Sequence, residues 1–77
     1  PGAINFRNRG NVYHSKKDYD RALADYNQAI RLNPRYANAF HDRGRTYYNK
    51  GDFDRAIADF NEAIRLDPDG EKFEDRG

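Results

Sequence analysis

Apolar and small residues fall at Ala3, Phe6, Gly10 and Tyr13. Steps of three and four place them on one face of a helix running from Ala3 to about Lys16. The polar residues between them point elsewhere, and Lys16-Lys17-Asp18 breaks the pattern. A second helix is predicted to open near Asp20, whose short carboxylate can cap free N–H groups and sits at the positive helix end. Its inner face carries Ala22, Leu23, Tyr26, Ala29 and Ile30. Pro34 stops it, because proline lacks the N–H that would continue the ladder and disfavours helical backbone just before itself. The plan then returns, with Ala37, Phe40, Gly44 and Tyr47 on a third helix and Ala56, Ile57, Phe60, Ala63 and Ile64 on a fourth. Asn33-Pro34-Arg35 and Asp67-Pro68-Asp69-Gly70 read as turns. Helices joined so tightly pack antiparallel on their sequence neighbours, so the fold class is all-α.

The return is literal. Segment 18–34 reappears as 52–68, Asp18 becoming Asp52 and Pro34 becoming Pro68, an offset of 34 positions. Carried backwards, the same offset pairs Phe6 with Phe40, Arg9-Gly10 with Arg43-Gly44, Tyr13 with Tyr47 and Lys16 with Lys50. A fixed period of this size marks a stacked array in which each unit buries its apolar face only against its neighbours. The expected division is a remnant at 1–2, one unit at 3–36 and a second at 37–70. Phe73-Glu74-Asp75-Arg76-Gly77 echoes Phe40-His41-Asp42-Arg43-Gly44 once one residue is dropped. Residues 71–77 therefore read as the truncated start of a third unit, or a partial cap. One pair breaks the symmetry: Gly51 ends the third helix where Lys17 stands in the first hairpin. Glycine takes the left-handed position after a helix without a Cβ penalty, so the first turn is expected to be the weaker.

The spacing of these residues resembles the tetratricopeptide repeat, a helix–turn–helix unit of about 34 residues. The family's large aromatic falls on Phe6 and Phe40, its small residue on Gly10 and Gly44, and its tyrosine on Tyr13 and Tyr47. Its second-helix alanines fall on Ala22, Ala29, Ala56 and Ala63, the aromatic between them on Tyr26 and Phe60, and its final proline on Pro34 and Pro68. Arg9 and Arg43 depart, since the family more often carries leucine there. The resemblance implies an α-solenoid in which all of these positions are packing, and in which first helices line a concave face that binds peptides or partner proteins. Carried over residue by residue, that face holds Ile4, Arg7, Asn8, Asn11, His14 and Ser15 in the first unit. In the second it holds Asn38, His41, Asp42, Arg45, Tyr48 and Asn49.

The chemistry of that set suits an extended peptide. Asn8, Asn11 and Asn38 each present a donor and an acceptor on a short arm. Arg7 and Arg45 can add charge-assisted bonds to a carboxylate, and Tyr48 is an amphipathic anchor. The two units agree at their packing positions and differ here. One subclass of the family grips a terminal carboxylate with basic and asparagine side chains. Arg7 and Asn11 match its first pair, but Asp42 stands where its second-unit asparagine is needed, and Glu74 and Asp75 lie near its third-unit basic positions. This chain departs from that clamp.

Composition alone leans towards disorder: 36% hydrophobic against 35% charged residues, with a mean hydropathy of −1.26. The net charge is only +1, however, and the 14% aromatics recur at regular spacing, so periodicity decides for a folded chain. A near-neutral balance offers no basic footprint for nucleic acid. No apolar run reaches the length of a membrane span. Without cysteine there is no disulfide and no thiolate metal site, which fits a cytoplasmic setting. No metal-ligand spacing, nucleophile elbow or phosphate loop occurs, and no cofactor is implied. The reading is a non-catalytic scaffold for protein–protein interaction. The alternative is a structural, self-associating or engineered repeat with no natural ligand.

Two further expectations concern charge and ends. Arg21 with Asp25 and Arg55 with Asp59 are spaced as i, i+4 pairs, and Glu62 with Arg65 as i, i+3, all expected on solvated faces. The start at Pro1-Gly2 suggests a processed fragment or a cloning remnant. Stacks of this kind usually need about three units. The last full helix should therefore expose an apolar stripe that invites a longer array or a homo-oligomer.

Overall fold

Tight turns with repeated hydrogen bonding set the architecture. In the computed structural model residues 2–69 are described. Over them the chain forms four helices: α1 (Gly2–Ser15), α2 (Tyr19–Leu32), α3 (Ala37–Lys50) and α4 (Phe53–Leu66). α1 packs on α2, α3 on α4, and α2 on α3, with a lighter meeting of α1 and α3. This is a stack of two helical hairpins. The echo at 71–77 lies outside the described residues.

Each hairpin turns in the same way. The Asp18 N–H donates to the Tyr13 carbonyl at 2.9 Å and the Lys17 N–H to His14 at 2.8 Å; Asp52 donates to Tyr47 at 2.9 Å and Gly51 to Tyr48 at 3.0 Å. Such closure needs a left-handed residue just past the helix. Gly51 supplies it at φ 90°, and Lys17 is forced into it at φ 63°. The next helix is capped by Asp18, not by Asp20 as expected. The Asp18 carbonyl already accepts the first helical bond from Ala22 at 3.0 Å, and its carboxylate accepts from the Arg21 N–H at 3.4 Å. Asp52 does the same for α4. Asp20 sits inside the first turn of α2 and instead accepts from Lys50 Nζ, on α3, at 2.7 Å.

The centre is built from small residues around one large one. Ala22, Tyr26, Ala29 and Ala39 are fully buried, and Ala37, Ala56 and Ala63 nearly so. Gly10 exists to admit Tyr26: a Cβ there would lie 2.7 Å from the ring's Cε1. The Tyr26 hydroxyl donates to Asn11 Oδ1 at 2.6 Å, which satisfies its polar end. Burial pushes the Tyr26 phenol up to about 12, the nearby Asp42 charge adding to it.

Two expected surface pairs are overturned. Asp25 and Asp59 are buried, 4% and 5% exposed, because they face the first helix of their own hairpin. Arg9 meets Asp25 there through Nε and Nη2, both at 2.8 Å, and Arg43 meets Asp59 identically. Arg21 and Arg55 turn back to the capping residues Asp18 and Asp52 at 3.5 Å. The arginines that replace the usual leucine are thus forked onto buried carboxylates. Each also lies against its helix's aromatics, Arg9 at 5.7 Å from Phe6 and Arg43 at 5.3 Å from Phe40. The Glu62–Arg65 pair stands as expected, Nε to carboxylate at 3.0 Å on an exposed face.

Candidate functional site

Ten of the twelve residues expected on the concave face, all but Ile4 and Ser15, fall into three groups. The first closes a seam between α1 and α3. Arg7 Nε donates to Asp42 Oδ2 at 2.6 Å, and Asp42 is only 4% exposed. Burial alone would raise the Asp42 carboxyl, but His41 beside it and the Arg7 hydrogen bond, with the charges of Arg7 and Arg45, hold it below the ordinary carboxylate range. Burial likewise works against the Arg7 guanidinium, and Asp42 outweighs it and raises Arg7. Arg45 Nη2 stands 4.0 Å from the other Asp42 oxygen, and His41 Nδ1 3.7 Å from it.

His14 extends the seam. Its Nδ1 lies 2.7 Å from Thr46 Oγ1, and its Nε2 lies 3.1 Å from Asn49 Nδ2. Thr46 gives its single hydroxyl proton to the Asp42 carbonyl at 2.9 Å. Its oxygen can therefore only accept from His14, which assigns the Nδ1–H tautomer and leaves Nε2 to accept from the Asn49 amide. Protonation would set two donors face to face at Nε2. Burial, with the positive charge of Arg45, lowers the His14 pKa against the opposing pull of Asp42. Thr46, fully buried, was missed in the sequence because its counterpart one period earlier is Val12.

The second group is held within or between hairpins, His41 belonging both here and, through Nδ1, to the seam. The Asn11 amide oxygen accepts from the Tyr26 hydroxyl. Asn38 is half-buried and lines an open cleft of about 750 Å³ with Ile4, Leu32 and Tyr36 at the junction of the hairpins. The His41 ring packs against Phe60 at 5.6 Å.

The third group faces solvent. Asn8 and Arg45 are exposed, and Tyr48 is 58% exposed with its ring edge-on to Phe53 at 5.1 Å. Asn49 is also exposed at the rim of the seam. Among the described residues, no group of three or more His, Cys, Asp or Glu side chains converges as metal ligands. No helix among them is long and apolar enough to cross a membrane.

A sequence model of the tetratricopeptide repeat matches residues 10–75. The chain belongs to the tetratricopeptide repeat family. The crystal structure of MamA protein, a tetratricopeptide-repeat solenoid, is similar to it, with a TM-score of 0.79 and 29% identity over 94% of this chain. The chain spans 39% of the length of that MamA chain. No curated protein sequence matches it. Tetratricopeptide repeats generally mediate protein–protein interaction and are typically non-catalytic scaffolds.

Proposed function

We propose that the chain is a non-catalytic interaction module that holds an extended peptide across the face formed by α1 and α3, in two repeat units at 3–36 and 37–70. The observation that carries this reading is the division of the polar residues on that face. Arg7, Asn11, His14, Asp42 and Asn49 spend hydrogen bonds inside the chain, whereas Asn8, Arg45 and Tyr48 stand exposed beside them. The bonded inner row fixes the two helices from which the exposed outer row projects, so less of the face has to be ordered when a ligand arrives. Asn8 would pair with peptide backbone, Arg45 with a carboxylate, and Tyr48 with an apolar side chain lying along Phe53. The preferred ligand is therefore an acidic peptide with a neighbouring apolar residue. The terminal-carboxylate clamp is disfavoured because Arg7, the cation of its matching pair, is already bonded to Asp42. A cytoplasmic setting belongs to the same reading and is supported by the absence of cysteine from the sequence.

Selection from a displayed peptide library, followed by titration of the selected peptide, tests this. Arg45→Ala and Tyr48→Ala should each weaken binding about fivefold or more, the loss typical of an anchoring arginine or tyrosine. Unchanged affinity in both variants would refute the assignment. A second reading, self-association, is favoured by large apolar side chains left uncovered at both ends: Ile4 and Val12 on α1, Ile57 and Ile64 on α4, all more than half exposed.

A further inference from the structure

We infer that copies of this chain stack head to tail, the α4 end of one against the α1 end of the next, in the register of the chain's own joint between hairpins. This rests on the self-association reading and specifies its geometry. The sequence period supplies the register. Moving a residue of the internal joint by 34 positions gives the residue that would take its place in a joint between copies.

Besides the His14–Asn49 contact, four side-chain hydrogen bonds tie the hairpins together inside the chain. Lys50 donates to Asp20 at 2.7 Å, and Arg43 Nη1 to Asn27 Oδ1 at 2.8 Å. Arg7 donates to Asp42 at 2.6 Å, and His14 to Thr46 at 2.7 Å. At the α4 end, the counterparts of Asp20 and Asn27 are Asp54 and Asn61; at the α1 end, those of Lys50 and Arg43 are Lys16 and Arg9. The first two contacts are thus reproduced with identical residue types. Arg9 uses Nε and Nη2 on Asp25 just as Arg43 uses them on Asp59, and the internal joint shows a third nitrogen of that guanidinium reaching across.

The other two contacts change character, and both partners change together. His14 and Thr46 become Tyr48 and Val12 of the next copy, 58% and 53% exposed, so a polar pair is replaced by an apolar one. Arg7 and Asp42 become His41 and Asn8 of the next copy, with no ion pair to satisfy. On α4, Ile57 and Ile64 are exposed where their counterparts Leu23 and Ile30 in the stacked hairpin are half-buried. Two opposite ends that match in one register, charge to charge and apolar to apolar, select a second copy over an unrelated apolar segment. The contact is heterologous, so copies add end to end, into a filament unless the rotation between them closes a ring.

Sedimentation of the 77-residue chain tests the register through two end-blocking variants, Val12→Lys and Ile64→Lys. Both sites are exposed, and far-UV circular dichroism checks that helicity is unchanged. Wild type should gain mass with concentration, and each variant alone should remain monomeric. Mixed together, the two should form a dimer and nothing larger, since the first keeps an intact α4 end and the second an intact α1 end. Association abolished by Ile64→Lys but untouched by Val12→Lys would place α4 against something other than α1. That result overturns the register while self-association survives. A wild type that stays monomeric at its highest soluble concentration overturns both.

Discussion

Replacing Lys17 with glycine should stabilise the chain. Lys17 and Gly51 occupy the same place in the same turn, with matching hydrogen bonds from the following aspartate to Tyr13 and to Tyr47. Lys17 holds φ 63°, a left-handed conformation that costs an L-residue roughly 1–2 kcal/mol. Glycine removes that cost but loses more backbone freedom on folding, about 0.5–1 kcal/mol. The net gain is about 0.5–1 kcal/mol, and for a domain of this size about 4–8 °C in Tm accompanies each kcal/mol. The expected rise is therefore roughly 2–8 °C, read by thermal unfolding in far-UV circular dichroism. Gly51→Lys is the reciprocal. A Cβ at Gly51 meets nothing within 4 Å, so any loss there is one of backbone conformation alone. It should lower Tm by at least as much, since φ 90° lies further from the left-handed minimum. The variant carrying both changes should return close to wild type. An unchanged or lower Tm for Lys17→Gly would refute the reasoning.

Other perturbations probe the interior. His14 is held below its ordinary pKa by burial and Arg45, so the unfolded chain takes up a proton first as pH falls through about 6.5. Its contribution is fully present above that value and is lost as pH falls through the lower folded pKa. Urea unfolding from pH 7 down to pH 5 should show stability falling, and His14→Gln should flatten the fall. Arg43→Leu strands the nearly buried Asp59 carboxylate and should cost about 2–4 kcal/mol, somewhat below a wholly buried pair because water can reach the site. Adding Asp59→Leu should recover most of it, and no recovery in urea unfolding would deny that a stranded charge is the cause. Gly10→Ala drives a methyl group to 2.7 Å from the fully buried Tyr26 ring and should cost about 1–2 kcal/mol, overpacking outweighing the gain in helix propensity. Gly44→Ala meets the half-buried Phe60 at 3.0 Å and should cost less in the same melts.

The helices and their stacking were legible because each unit states its apolar face twice, at one period, with proline or glycine marking most of the stops. Cap position was less so: Asp18 and Asp20 both suit a helix start, and only the backbone bond from Ala22 to Asp18 decides between them. The buried Arg–Asp forks were misread because Arg21 and Asp25 look complete as a surface pair on one helix. A signal existed. Arg9 with Asp25 and Arg43 with Asp59 recur at one separation, with arginine where the family more often has leucine. The concave face was legible only by resemblance. Sequence cannot tell a polar residue that faces solvent from one that reaches into the next unit, since both avoid the apolar stripe. Hence Arg7, His14 and Asp42 were read with Asn8 and Arg45 as one binding set, although the first three close the seam.

A double-mutant cycle on Arg7 and Asp42 tests most directly whether that seam joins the hairpins. Urea unfolding of wild type, Arg7→Ala, Asp42→Ala and the double variant yields the coupling energy between α1 and α3. Residues in contact within one network typically couple by about 0.5–3 kcal/mol, and a value in that range is expected here. Additive losses, with coupling below about 0.3 kcal/mol, would mean that the two side chains do not meet and that Arg7 is free for a ligand.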